Sequence, residues 1–168
     1  LILDGADLEK VAEQLCESCF AGAGSLRESV SKILVLESKT QEFMDAFQKA
    51  AEKYPHSSSE KLASLIQQVP HDQGKIAWGN KDSAAIVKDL SHCSVMQQDA
   101  LNAPIAIVSS VKYQHEMLKW ANTGYLGVSA QVFGPEDKAL KVAEKLEVGK
   151  VYNNSWLRED PSLGCGQK

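Results

Sequence analysis

The chain has 168 residues, of which 43% are apolar and 24% charged, and its net charge is −4 at pH 7. A chain of this length can bury one sizeable core, so we expect a single domain over residues 1–168. The acidic balance, with no block of Lys or Arg, argues against nucleic acid or an anionic membrane surface as a main partner.

Hydrophobic periodicity predicts strands that alternate with helices along the whole chain. Asp7 is placed to cap the first helix, which Gly22 and Gly24 end. Ser38 and Gln41 are spaced as a capping box for the second helix. In the first part of the chain we predict a strand at 1–3, a helix after Asp7, a strand at 32–36, a helix that Pro55 ends and a short helix near 59–68. Strands at 75–78, 84–87 and 104–108 follow, and then a helix near 114–122. The last predicted elements are a strand at 131–133, a helix whose first residue is Pro135 and a strand at 150–154.

Most of the predicted strands are continuous apolar runs, such as AAIV at 84–87 and PIAIV at 104–108. Such runs are typical of strands buried on both faces, as in a parallel sheet. We therefore predict an α/β domain with an open, mostly parallel sheet and helices on both faces. The longest apolar run, APIAIV, is too short to span a bilayer.

The four cysteines are too few and too unevenly spaced to indicate a disulfide framework, so we expect a reducing compartment, the cytoplasm. Leu1 opens the chain without an initiating Met or a basic leader, which suggests a piece of a longer protein. The cysteines are Cys16, Cys19, Cys93 and Cys165.

CESC at 16–19 is a C-x-x-C motif, so a redox or zinc-binding domain is one functional hypothesis. A redox pair needs its reactive thiol at a helix N-terminus, whereas this pair falls in the last turn of the first predicted helix. A zinc site needs two more ligands, and the sequence offers His92 beside Cys93 as its only other cluster. We predict structural helix residues, at least one of them facing the core, and no metal site.

The segment ANTGYLGVSAQVF at 121–133 resembles the aldehyde dehydrogenase superfamily pattern A-N-x-x-x-x-G-L-x-A-x-V-F. KALKVAEKLEVGKVYNNSW, which follows it, resembles the family's A-x-x-x-A-x-x-L-x-x-G-x-V-x-x-N. The resemblance implies that the chain is the catalytic-domain portion of such an enzyme, with the cofactor-binding domain and the segment of the general-base Glu before Leu1. The matching residues are Ala121, Asn122, Gly127, Ala130, Val132, Phe133, Ala139, Ala143, Leu146, Gly149, Val151 and Asn154.

The stretch FAGAGSLRESVSKILV resembles the family turn F-x-N-A-G-Q-x-C, in which the Cys is the nucleophile. Aligned without a gap, this turn places Arg27 at the nucleophile position, and it places Lys32 where the family has an Arg. A guanidinium stays protonated and has no usable lone pair, so it cannot attack an aldehyde carbonyl. Cys19 is the alternative thiol, but it lies eight residues earlier, at the end of the preceding helix.

Two further stretches depart from the family patterns. The E-x-F-G-P turn, whose Glu contacts the nicotinamide ribose, corresponds to ALNAP at 100–104, so that Ala100 replaces the Glu and Asn102 the Phe. LGCGQK at 163–168 stands where the family has F-G-G-x-K. We expect no confident cofactor-binding residue in this chain.

The resemblance leaves two hypotheses beside the metal or redox one. The first is a non-catalytic aldehyde dehydrogenase-like module with an interaction or scaffolding role, for example the second module of a two-module protein. The second is part of an active NAD(P)-dependent enzyme that oxidises aldehydes to carboxylic acids, using an offset Cys or a complete second module. The resemblance also implies homo-oligomers of the parent chain, and a protein partner is a further expectation.

Overall fold

The computed structural model describes residues 1–56, 59–124 and 126–155. The predictions for LGCGQK and Cys165 therefore lie outside the described residues. The helices are α1 (Leu8–Phe20), α2 (Glu37–Lys53), α3 (Glu60–Gln68), α4 (Gln114–Ala121) and α5 (Glu136–Ala143). The strands are β1 (Lys32–Leu36), β2 (Lys75–Gly79), β3 (Ala85–Lys88), β4 (Ile105–Val111), β5 (Ser129–Val132) and β6 (Lys150–Asn153).

The strands form a four-stranded sheet in the order β1-β4-β3-β2 and a two-stranded sheet of β5 and β6. Parallel pairing joins β1 to β4, β3 to β4 and β5 to β6, while β2 runs antiparallel to β3. Ile2 links the two sheets through parallel bridges to Val35 and Phe133. The predicted strand at 1–3 is thus reduced to one bridging residue, and the mostly parallel α/β fold is confirmed.

Helices cover both faces of the sheet because successive strand residues point to opposite sides. Ile33 and Val35 pack in one cluster with residues of α1 and α2, including Phe47. On the opposite face, Leu34 packs with residues of α4 and α5. Further along that sheet, Leu62 of α3 packs in a third cluster with residues of β3 and β4. The continuous apolar runs therefore correspond to strands that are buried on both faces, as predicted.

Two predicted helix starts are wrong. The capping box of Ser38 and Gln41 does not form, because β1 passes directly into α2 and Leu36 occupies the cap position without a side-chain bond. Pro135 precedes α5 at its cap, one position before the first helical residue. Within the described ranges, no helix is long and apolar enough to cross a membrane.

Candidate functional site

The loop between α1 and β1 is held in a fixed backbone shape. It begins with a short 3-10 turn, Ala21–Gly24, in which Gly22 and Ala23 have positive φ values of 58° and 54°. Gly24 also has a positive φ, +69°, and a Cβ added there would lie 2.1 Å from the Ala103 carbonyl oxygen. Backbone therefore lies against backbone, which brings this loop onto the turn that precedes β4.

Two cavities near this contact share Arg27 and Ala100 in their walls. The larger, which we call the Arg27 cleft, has a volume of about 220 Å³ and is lined by Arg27, Lys32 and Ala100 among others. The smaller, the Asn102 pocket, has a volume of about 60 Å³ and is lined by Arg27, Ala100 and Asn102. The structure thus brings together four positions that the family resemblance singled out in two separate stretches of the sequence.

Arg27 is exposed on the loop. Across residues 1–56, 59–124 and 126–155, its guanidinium has neither a hydrogen bond nor an ion pair. An unengaged guanidinium is a permanent cation with five N–H donors in a fork that fits a carboxylate or phosphate. The arrangement can therefore bind an anion, and it cannot supply a nucleophile.

Glu28, the next residue, is buried and anchors the loop to β6. Its Oε1 accepts from Lys150 Nζ at 3.0 Å, and its Oε2 accepts from Tyr152 Oη at 2.8 Å. The Lys150 side chain is only 12% exposed, so this ion pair is shielded from water. Sequence reasoning missed this anchor, although Lys150 and Tyr152 lie two apart on a strand and so share a face that needs an acidic partner.

Lys32 fastens the amino end of β1 to the end of α4. Its Nζ donates to the Trp120 carbonyl oxygen at 3.1 Å and to the Thr123 carbonyl oxygen at 3.5 Å. Burial lowers the pKa of Lys32. His92 stacks on the Trp120 ring at 4.1 Å between centroids, and the pKa of His92 is lowered first by burial and then by the Lys32 charge.

The two thiols of CESC are buried in the core, at 1% exposure each. Burial, with the Glu13 charge, raises the pKa of Cys16 to about 12, and burial also raises the pKa of Cys19, with the Cys16 thiol adding to the effect. The prediction that at least one of them faces the core is confirmed. Cys19 lines neither the Arg27 cleft nor the Asn102 pocket, whereas Cys16 lines a separate groove with residues of α1 and α2.

High thiol pKa values disfavour the thiolate that redox chemistry and metal binding require. In the part of the chain that the structure describes, no group of three His, Cys, Asp or Glu side chains is placed to hold a metal ion. The redox or zinc hypothesis therefore gains no support from the CESC motif.

Comparison with known proteins identifies the family. The model of the aldehyde dehydrogenase family matches residues 1–167, so the chain belongs to that family. Cytosolic aldehyde dehydrogenase 1 of Macroscelides proboscideus is 24% identical over 191 aligned residues, which cover 99% of this chain and 38% of the relative. Lactaldehyde dehydrogenase of Methanocaldococcus jannaschii is 25% identical, over 95% of this chain and 39% of the relative.

Solved structures show the same fold. Betaine aldehyde dehydrogenase from Staphylococcus aureus, in complex with NAD+, superposes with a TM-score of 0.89 at 22% identity, over 99% of this chain and 39% of that one. Indole-3-acetaldehyde dehydrogenase from P. syringae, in complex with NAD+ and IAA, superposes with a TM-score of 0.90 at 18% identity, over the same shares of the two chains. The chain thus spans about two fifths of the length of the relatives that it matches.

Proposed function

We propose that this chain is a non-catalytic module of an aldehyde dehydrogenase-like protein and that it serves an interaction or scaffolding role. The observation that carries the proposal is Arg27, which lies on the loop where the family resemblance requires a Cys and which lines both cavities there. Aldehyde oxidation by this family proceeds through a thiolate that attacks the carbonyl, holds the hemithioacetal during hydride transfer and releases the acid by hydrolysis. Arg27 cannot perform the first of these steps.

The surroundings of Arg27 support the same proposal. Ala100 lines both cavities at the position of the family's ribose-contacting Glu, and a methyl group offers no acceptor to a ribose hydroxyl. Asn102 lines the smaller pocket at the position of the family's Phe. The loop backbone is nevertheless held tightly, by the Gly24 contact and by the buried Glu28 anchor. The loop backbone is thus held in place while the residues at the family's catalytic and cofactor-contacting positions differ, which favours a binding role over catalysis.

The alternative is that the full protein is an active NAD(P)-dependent aldehyde dehydrogenase. Family membership and the NAD+ complex of the Staphylococcus aureus structure favour NAD(P) as the cofactor if the full protein is active. Such activity needs a thiol at the cavities, and among the described residues neither cavity is lined by a Cys. A complete second module elsewhere in the protein is the form of this alternative that fits the geometry best.

The test is NAD(P)H formation by the protein at its full natural length, with NAD+ or NADP+ and short aldehydes. We expect either no turnover or turnover that Arg27→Ala, Cys16→Ser and Cys19→Ser all leave unchanged. Turnover that survives both Cys substitutions but is lost in Arg27→Ala would overturn the proposal. Loss of turnover in Cys19→Ser, with Cys16→Ser unaffected, would also overturn it and would identify Cys19 as the offset nucleophile.

Thiol labelling separates the two readings without substrate. An activated thiol reacts quickly with iodoacetamide at neutral pH, whereas a buried thiol of raised pKa does not. We expect Cys16 and Cys19 of the native protein to resist labelling, with the exposed Cys93 as the internal reference. Labelling of Cys19 that is faster than labelling of Cys93 would favour the active enzyme.

Partners and location complete the proposal. We propose a homo-oligomeric parent protein in the cytoplasm, with a protein partner for this module. The buried free thiols of Cys16 and Cys19 are compatible with a reducing compartment. Size-exclusion chromatography with light scattering tests the oligomer, and a monomer at micromolar concentration would contradict it.

A further inference from the structure

The Arg27 cleft combines positive charge with donors that have no partner among the described residues. Arg27 and Lys32 both line it, and the Lys32 ammonium directs two of its three protons to the carbonyl oxygens of Trp120 and Thr123. One Lys32 proton and the whole Arg27 fork are left for a ligand. The Asp99 carboxylate also lines the cleft, but it is exposed and its Oδ1 accepts from the Ala100 N–H at 2.8 Å.

Two buried polar atoms on the cleft wall have no hydrogen-bond partner among the described residues. They are Ser29 Oγ and Gln131 Oε1, and both residues line the cleft. Gln131 is only 4% exposed, so water does not readily satisfy its amide. Buried polar atoms nearly always have a partner in folded proteins, so two orphans in one cavity indicate a polar ligand. The Ser29 hydroxyl can donate to an anion, and so can the Gln131 amide after half a turn about its terminal bond.

Part of the remaining wall is apolar, although the cleft is also lined by Ser31, Gln97, Gln98, Thr123 and Ser129. Leu34 of β1 lines the cleft, as do Val128 and Leu146. An inorganic anion would leave these side chains unused, whereas an organic anion can place an apolar body against them. The volume of about 220 Å³ lies below the range usual for drug-sized ligands, roughly 300–1,000 Å³, which restricts the body to a few carbons.

We propose that the Arg27 cleft binds a short aliphatic carboxylate, with its oxygens on the Arg27 guanidinium and its carbon chain against the apolar wall. Arg matches a carboxylate with two parallel N–H···O bonds, which are stronger than bonds between neutral groups. The inference rests on the proposed function, in which no thiolate occupies this cleft. The module would then sense or hold an acid without transforming an aldehyde.

The test is a titration of the full-length protein with isotope-labelled butyrate, in the absence of cofactor and aldehyde. NMR monitors the binding of butyrate. Butyramide is the neutral matched probe, and inorganic phosphate is the anion without an apolar body. We expect butyrate to bind and to outcompete both. Arg27→Gln should weaken binding roughly 10- to 100-fold, since hydrogen bonds to charged groups contribute about 1.5–3 kcal/mol. Arg27→Lys keeps the charge but loses the forked pair of donors, so its affinity for butyrate should lie between those of the wild type and Arg27→Gln.

The matched control is Lys61→Gln, which removes an exposed cation on α3 that lines neither cavity and should leave butyrate binding unchanged. Equal binding of butyrate and butyramide, or unchanged affinity in Arg27→Gln, would overturn the inference. Tighter binding of phosphate than of butyrate would overturn the choice of a carboxylate. Because no turnover is measured, a negative result here is separate from failure of the proposed function.

Discussion

Arg27 and Glu28 are adjacent in the chain and meet opposite surroundings. Glu28 is buried at 6% exposure and is bonded to both Lys150 and Tyr152, whereas Arg27 is exposed and has no partner among the described residues. Glu28 therefore anchors the loop to β6, whereas Arg27 faces the cleft. The position of a reactive group can thus be fixed by its neighbours while the group itself is free to change.

The largest contrast is expected between alanine substitutions at these two positions. Glu28→Ala leaves the Lys150 ammonium buried without its carboxylate and should lower the free energy of unfolding by about 3–5 kcal/mol. Arg27→Ala should change it by no more than about 0.5 kcal/mol, as is usual at exposed positions. Urea unfolding followed by circular dichroism measures both. Equal losses in the two variants would show that the loop is not anchored through Glu28.

A smaller loss in the free energy of unfolding is expected from a substitution at Gly24, where the loop backbone contacts the turn before β4. Gly24→Ala would place a methyl group 2.1 Å from the Ala103 carbonyl oxygen at a positive φ, and we expect a loss of about 2–4 kcal/mol. Gly22→Ala is the matched control, because Gly22 has a similar φ of +58° but its added Cβ would meet only the Leu26 side chain, at 3.1 Å. Thermal unfolding should give Gly24→Ala a clearly lower melting temperature than Gly22→Ala. The same loss in both would mean that the backbone conformation, and not the contact, sets the cost.

The smallest effect on stability is expected at His92. Its ring stacks on the Trp120 ring, and Lys32 donates to the Trp120 carbonyl oxygen. The folded pKa of His92 is lowered, chiefly by burial and then by Lys32, so the unfolded chain takes up a proton more readily than the folded protein. Stability should therefore fall as the pH drops below the ordinary His value of about 6.5 and level off below the folded pKa. His92→Phe, which keeps the stack, should lose less stability than the wild type between pH 7.5 and pH 5.5.

His115→Phe, at an exposed position, is the control for this pH dependence. The melting temperature of His115→Phe should change with pH in the same way as that of the wild type, over the same pH range. If His92→Phe also follows the wild-type curve, the pH dependence arises elsewhere and the pKa of His92 is not lowered as described.

The sequence predicted most of the sheet because its strands carry their own signal. KILVL at 32–36 is a strand with the predicted bounds, since β-branched and apolar residues in an unbroken run suit a strand buried on both faces. The start of α2 was not predictable from Ser38 and Gln41, because β1 leads directly into the helix and Leu36, which has no capping side chain, occupies the cap position. The antiparallel direction of β2 relative to β3 is indicated by the short connection at 80–84, which cannot make a parallel crossover, and not by the apolar run itself.

The candidate site could be predicted in part. The family resemblance brought Arg27, Ala100 and Asn102 into one hypothesis, and the structure places them around two adjoining cavities. The Glu28 anchor could not be predicted, because its partners lie 122 and 124 residues further along the chain. Contacts at that separation are decided by how α5 returns the chain to β6, which no local pattern specifies.

Trapping of the acyl intermediate shows whether any thiol of this chain attacks an aldehyde. The full-length protein is incubated with an isotope-labelled short aldehyde and oxidised cofactor, quenched with acid and mapped by peptide mass spectrometry. We predict no acyl group on any Cys of residues 1–168. An acyl group on Cys19, or on any other thiol of this segment, would contradict the account.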